Sequence, residues 1–100
     1  MLLKEQAQPA STAVLLEAAL HGDLENVRDS LSVGANINAR NKYGATALFL
    51  AALHGRAELV GILLKAGADS TIPNNLGMTP FQVAEENGHD VIVRILRESS

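Results

Sequence analysis

The chain has 100 residues, 47% hydrophobic and 19% charged, with a formal net charge of -3. A chain of this length builds one core, which excludes two domains; it is too apolar for a disordered tail, and no run approaches the roughly 18 apolar residues of a membrane-spanning helix. Ala and Leu supply 15 residues each against three aromatic residues in all, which points to close-packed helices and away from sandwiched sheets. With no Cys there is no disulfide, Cys-ligated zinc or thiol nucleophile, and the composition is compatible with a reducing compartment. Residues 1–10 lack the apolar stretch of a secretory signal, so the expected location is intracellular and cytoplasmic, with nuclear entry left open.

A period of 33 residues organises the chain. It separates Gly22, Gly55 and Gly88, and it joins Gly34 to Gly67 and Gly44 to Gly77. The same step relates Ala18, Ala51 and Ala84; Leu15, Leu48 and Phe81; Val27, Val60 and Val93; and Thr46 and Thr79. Residues 1–10 are expected to be an N-terminal extension that can belong to the cap; its amphipathic start, Met1-Leu2-Leu3-Lys4-Glu5, extends the first helix, covers the N-terminal face or frays, three alternatives that the sequence leaves open. The first repeat, about 11–40, lacks a turn glycine ahead of its first helix. Its second helix carries Asn26, Arg28, Asp29, Ser30 and Ser32 where the middle repeat has Leu59, Gly61, Ile62, Leu63 and Lys65, the composition of a cap.

In the middle repeat, about 41–73, Gly44 follows a polar turn and Thr46 is placed to cap a short helix. A second helix is expected from about Ala57 to Ala66, ended by Gly67 in the left-handed conformation that suits a residue without Cβ. The segment from Ala68 to Gly77 returns through a turn rich in Pro and Asn. In the last repeat, about 74–98, Thr79 is a cap, Pro80 stands at the first helical position and Gln82 completes a capping-box spacing. That helix should end near Gly88. Arg94, Arg97 and Glu98 then match Gly61, Leu64 and Lys65, as expected of a helix with one side in water, and residues 99–100 form a tail. The expectation is a three-unit array, complete at both ends, in which no unit buries its apolar face without a stacked neighbour.

The strings Gly44-Ala45-Thr46-Ala47-Leu48, Ala51-Ala52-Leu53-His54-Gly55, Leu63-Leu64-Lys65-Ala66-Gly67-Ala68-Asp69 and Gly77-Met78-Thr79-Pro80-Phe81 closely resemble the ankyrin repeat. The resemblance spans about residues 11–98. It implies one domain over that range, an all-α solenoid of three helix-turn-helix repeats joined by hairpin-like loops. The Thr-Pro-Leu-His of the family reads Thr46-Ala47-Leu48-Phe49 and Thr79-Pro80-Phe81-Gln82 here, so the hydrogen bonds of that His are lost and Phe49 is expected to pack instead.

No constellation of residues carries catalytic chemistry. His21 and His54 are one period apart but have no carboxylate or third ligand at metal-binding spacing, so they read as semi-exposed polar residues before a helix-ending glycine. His89 matches a His common after that glycine in the family, a structural position. Neighbouring Glu85 and Glu86 splay about 100° apart on a helix, wrong for a cooperating acid and base. No serine has a nucleophile-elbow context and no glycine-rich loop cradles a phosphate. The eight basic residues are scattered on an acidic chain, which disfavours nucleic acid. The expected protein is therefore no enzyme, with no cofactor, no metal, no nucleic-acid partner and no membrane partner.

What remains is a surface. The resemblance implies a concave face built from hairpin tips and first helices, where proteins of this family bind partner proteins. The family's freely varying positions fall on Lys42, Tyr43, Ala45, Leu53 and His54, on Asn75, Leu76, Met78, Glu86 and Asn87, and on Leu20 and His21. Tyr43, Leu76, Met78, Leu53 and Leu20 read as an apolar stripe, unless Leu20 and Leu53 are buried between helices and Met78 beneath its own hairpin. Tyr43, the one Tyr, is the best anchor candidate. The expected activity is adaptor or inhibitor work by a monomer, and the alternative is self-association or an obligate complex through the same apolar surface. By analogy alone, Asn38 stands where an asparaginyl hydroxylase modifies some ankyrin repeats; the plainer expectation is that it bonds the hairpin backbone.

Overall fold

Two threonines one period apart start the short helices in the same way. Thr46 and Thr79 are both extended, with ψ of 170° and 166°, and their hydroxyls accept from Phe49 N–H and Gln82 N–H. At Thr79 the Gln82 side chain returns a hydrogen bond to the cap backbone and Pro80 opens the helix, so the expected capping box is complete. The computed structural model describes residues 3–99, with side chains from Ser11 onward. Among these residues six helices follow one another: α1 (Leu3–His21), α2 (Leu24–Ser32), α3 (Ala47–Leu53), α4 (Ala57–Lys65), α5 (Pro80–Glu86) and α6 (Asp90–Glu98). No strand occurs among the described residues. The backbone of α1 begins at Leu3, so residues 3–10 run on into the first helix, while residues 1–2 and 100 lie outside the described residues.

The glycines that share the period also share a conformation. All seven have positive φ, from 71° to 97°, whereas Gly61, the one off the period, lies inside α4. The turn after α4 shows why: Gly67, at φ 97°, follows the cap residue Ala66 and donates to Leu64 O at 3.1 Å, while Ala68 N–H reaches Leu63 O at 3.0 Å. These bonds satisfy carbonyls the helix leaves open, in a left-handed geometry that costs a residue with a Cβ dearly.

The odd-numbered helices form one row and the even-numbered helices the other. In the first row α3 packs directly on α1 and on α5, through contacts rich in Ala18, Ala19, Ala51, Ala52 and Ala84, all at or below 5% exposure. Larger side chains, Val27, Leu59, Val60, Leu63, Ile92 and Leu96, bury the second row, in which α4 and α6 touch less closely. Small residues on one side of the stack and large ones on the other close the first row more tightly, which curves the array toward it. Phe49, at the position where the family places His, is 5% exposed and joins the core, as its replacement of a polar residue requires.

Candidate functional site

Asn41 and Asn74, one period apart, build the tips of the two complete hairpin loops. The side-chain oxygen of Asn41 accepts from Tyr43 N–H at 2.9 Å and Ala45 N–H at 3.0 Å, and its own N–H donates to Ala45 O at 2.9 Å. Asn74 repeats this with Leu76 N–H and Met78 N–H, both at 3.0 Å, and with Met78 O at 2.8 Å. Each tip is thereby a side-chain-closed turn, with Gly44 and Gly77 supplying the positive φ. Neither Asn was singled out by its chemistry; their 33-residue separation is the signal that would have found them.

The two tips are also tied to each other. Asn75 N–H donates to Tyr43 O and the Asn75 amide to Lys42 O, each at 3.0 Å. Arg40 donates from Nε to Gly44 O at 3.0 Å and from its terminal nitrogen to Pro73 O at 2.8 Å, bridging one loop to the next. Lower down, Asn38 accepts Asp69 N–H at 2.9 Å, so it bonds the neighbouring hairpin backbone as its plainer reading required. Asp69 in turn accepts the Thr71 hydroxyl and N–H, which together hold its carboxyl below the ordinary value of 3.8.

Across these tips the apolar candidates separate into two kinds. Tyr43 and Leu76 stand out at 64% and 85% exposure, and the Lys42 ammonium lies 5.3 Å from the Tyr43 ring centre. Leu20, Leu53 and Met78 are instead half-buried and packed against the core. That is the second of the two arrangements the sequence leaves open: of the five candidates, Tyr43 and Leu76 are exposed, and Leu20, Leu53 and Met78 pack on the core. Of the polar candidates, Lys42, His54, Asn75, Glu86 and Asn87 are exposed, and Asn87 spends its amide on Val83 O at 2.8 Å. A groove of about 520 Å³ runs beside the second tip, lined by Gly77, Met78, Gln82, Glu85 and Glu86.

The histidines have structural partners or face water. His21 Nε2 lies 3.0 Å from Glu17, His89 Nε2 lies 3.2 Å from Leu53 O, and His54 is exposed. His89 and Arg56 are repeat equivalents; the Arg56 guanidinium likewise reaches back, at 3.5 Å, to Leu20 O. Each therefore straps its repeat to the one before. No group of three or more His, Cys, Asp or Glu able to hold a metal occurs among the described residues.

With three stacked helix pairs and two linked tips in view, the comparison with known families is decisive: the model described as ankyrin repeats (3 copies) matches residues 15–100. The chain belongs to the ankyrin-repeat family. No curated protein matches it at a significant level. Ankyrin repeats are in general protein-protein interaction modules and typically not enzymes. Among the described residues, no helix of this ankyrin array is long and apolar enough to cross a membrane.

The two ends of the ankyrin array differ from its middle. Where the middle repeat buries Leu50 and Leu59, the first repeat exposes Glu17 and Asn26. Where it buries Phe49 and Ala52, the last repeat exposes Gln82 and Glu85, and Arg97 replaces Leu64 and lays its guanidinium 6.0 Å from the Phe81 ring centre. A further repeat stacked on either end would have to desolvate the polar groups at these positions.

Proposed function

We propose that this ankyrin array binds a partner protein through its concave face, as an adaptor or a competitive inhibitor, and performs no catalysis. The observation that carries the reading is the exposed pair Tyr43 and Leu76, two large apolar side chains on adjacent tips where no core requires them. A ring with a polar hydroxyl and an aliphatic neighbour suit an interface centre, with Lys42, His54, Asn75, Glu86 and Asn87 as the polar rim and Leu20, Leu53 and Met78 as the floor. The bonds that close and link the tips support it too, since a preorganised surface loses less entropy on binding. Two tips and three short helices offer about 800 Å² to a partner, the size of a standard interface. A cytoplasmic setting is compatible with this reading, since a chain without Cys has no disulfide to form or lose.

The test is affinity capture from lysate with the wild type and with the double variant Tyr43→Glu, Leu76→Glu, after circular dichroism shows unchanged helicity. Loss of a specific protein from the variant supports the reading; equal capture by both removes the tips from it. Self-association is the second reading, favoured by the same exposed pair, which a two-fold dimer would bury. Sedimentation velocity separates the two: a mass that stays monomeric across the concentration range leaves the first.

A further inference from the structure

The concave face is not uniform along its length, and its third repeat departs from its second in charge. Where the second repeat has Ala52 and Leu53, the third has Glu85 and Glu86, and both line the groove together with Gly77, Met78 and Gln82, the chain entering it directly after Leu76. Among the described residues neither carboxylate has an ion-pair partner: His89, the basic group closest in sequence, is engaged with Leu53 O, and Arg94, the next, is exposed on α6 and forms no ion pair with either. At the first tip the charge is reversed, with Lys42 set against Tyr43. Two negative charges without an ion-pair partner among the described residues thus share a groove with Met78, two residues from Leu76, the most exposed of the large hydrophobic side chains described.

Resting on the proposed concave-face binding, we propose a specific occupant for this end of the site: a linear segment of the partner protein that carries a Lys or Arg next to a large apolar residue. The apolar residue packs on Leu76 and Met78, and the cation lies in the groove against Glu85 and Glu86. Charge complementarity selects this occupant. An acidic segment would meet two carboxylates with no cation to offset them, and a nucleic-acid backbone would meet the same repulsion. A fully apolar segment would cover the carboxylates without pairing them, at a desolvation cost. The groove, at about 520 Å³, has room for a basic side chain and the apolar neighbour.

The test pans a random library of displayed 12-residue peptides against three proteins: the wild type, Tyr43→Glu, Leu76→Glu, and the isosteric pair Glu85→Gln, Glu86→Gln. Circular dichroism and the melting point confirm folding of each. The expected result is that the wild type enriches peptides with Lys or Arg within two positions of a large apolar residue. Synthetic copies of those peptides bind the Gln pair about three- to tenfold more weakly at low salt, and the difference narrows as salt is raised, because the contact is exposed. Enriched peptides without a basic residue, or equal affinity for the Gln pair, overturn this occupant and leave the concave-face reading standing. Enrichment that survives Tyr43→Glu, Leu76→Glu refutes the concave-face reading itself. No enrichment, or a wild-type dimer that the Gln pair abolishes, also overturns the proposal, the dimer by making a second copy the occupant.

Discussion

Asn75 grips the backbone beneath Tyr43: its N–H donates to the Tyr43 carbonyl and its side-chain amide to the Lys42 carbonyl, each at 3.0 Å, so the second tip holds the first in place. Asn75→Ala removes the side-chain half of that grip. The lost bond is exposed, so urea unfolding should show a loss of no more than about 1 kcal/mol. Partner affinity should fall by more than this loss implies, because the tips then fluctuate independently. Titration calorimetry with the captured partner checks it, and unchanged affinity would mean that the link between the tips plays no part in binding.

The glycines make a sharper set of expectations. At Gly44, with φ of 79°, an added Cβ would run into the Asn75 side chain and lie 2.7 Å from its backbone nitrogen, so Gly44→Ala should cost about 2 kcal/mol or more. At Gly67 nothing lies within 4 Å, so Gly67→Val is strained by its φ of 97° alone and should cost more than about 1 kcal/mol. Gly61 has the same free space but helical backbone, so Gly61→Ala should stabilise by about 0.5–1 kcal/mol. Lys42→Ala, at an exposed tip, should stay within about 0.5 kcal/mol of wild type. Thermal melts rank the four, and a Gly67→Val protein that melts with Lys42→Ala would contradict the repeat register.

Much of this architecture was legible because a repeat states its rules several times. Thr46 and Thr79 at the starts of α3 and α5, and Gly67 after the end of α4, follow from capping chemistry read on the 33-residue grid. The side-chain environment of the concave face did not follow, because the family positions that carry Leu20, Leu53 and Met78 are defined by sequence offset, while their burial depends on how closely the next repeat sits. Hydrogen bonds between repeats escaped for the same reason. Asn75 to Lys42, Arg40 to Pro73 and Asn38 to Asp69 span more than 30 residues, and no local pattern announces them.

The two capping threonines should differ in cost although their roles match. Thr46 is 1% exposed, so Thr46→Val keeps the volume but leaves the Phe49 N–H buried without an acceptor, a loss of about 2 kcal/mol. Thr79→Val exposes the Gln82 N–H to water, which replaces the lost acceptor, and should cost about 1 kcal/mol or less. Urea midpoints with unchanged m-values would establish the order Thr46→Val below Thr79→Val; the reverse order would mean that the middle repeat tolerates an open N-terminus through rearrangement.

A pH dependence follows from the loop below the tips. The Thr71 hydroxyl first and the Thr71 N–H second hold the Asp69 carboxyl below its ordinary 3.8, against a small opposing effect of burial. Because the folded-state value is the lower one, the carboxylate contributes stability above pH 3.8, and that contribution is lost as pH falls through the folded value. Thr71→Val keeps the N–H but removes the hydroxyl donor at 2.6 Å. The variant should therefore be less stable than wild type at neutral pH, with the gap closing as pH drops below 3.8. Parallel urea titrations at neutral and acidic pH isolate this difference, since every other carboxylate titrates in both proteins. A gap that stays constant or widens toward acid would show that the hydroxyl acts on the loop by some route other than its bond to the Asp69 carboxylate.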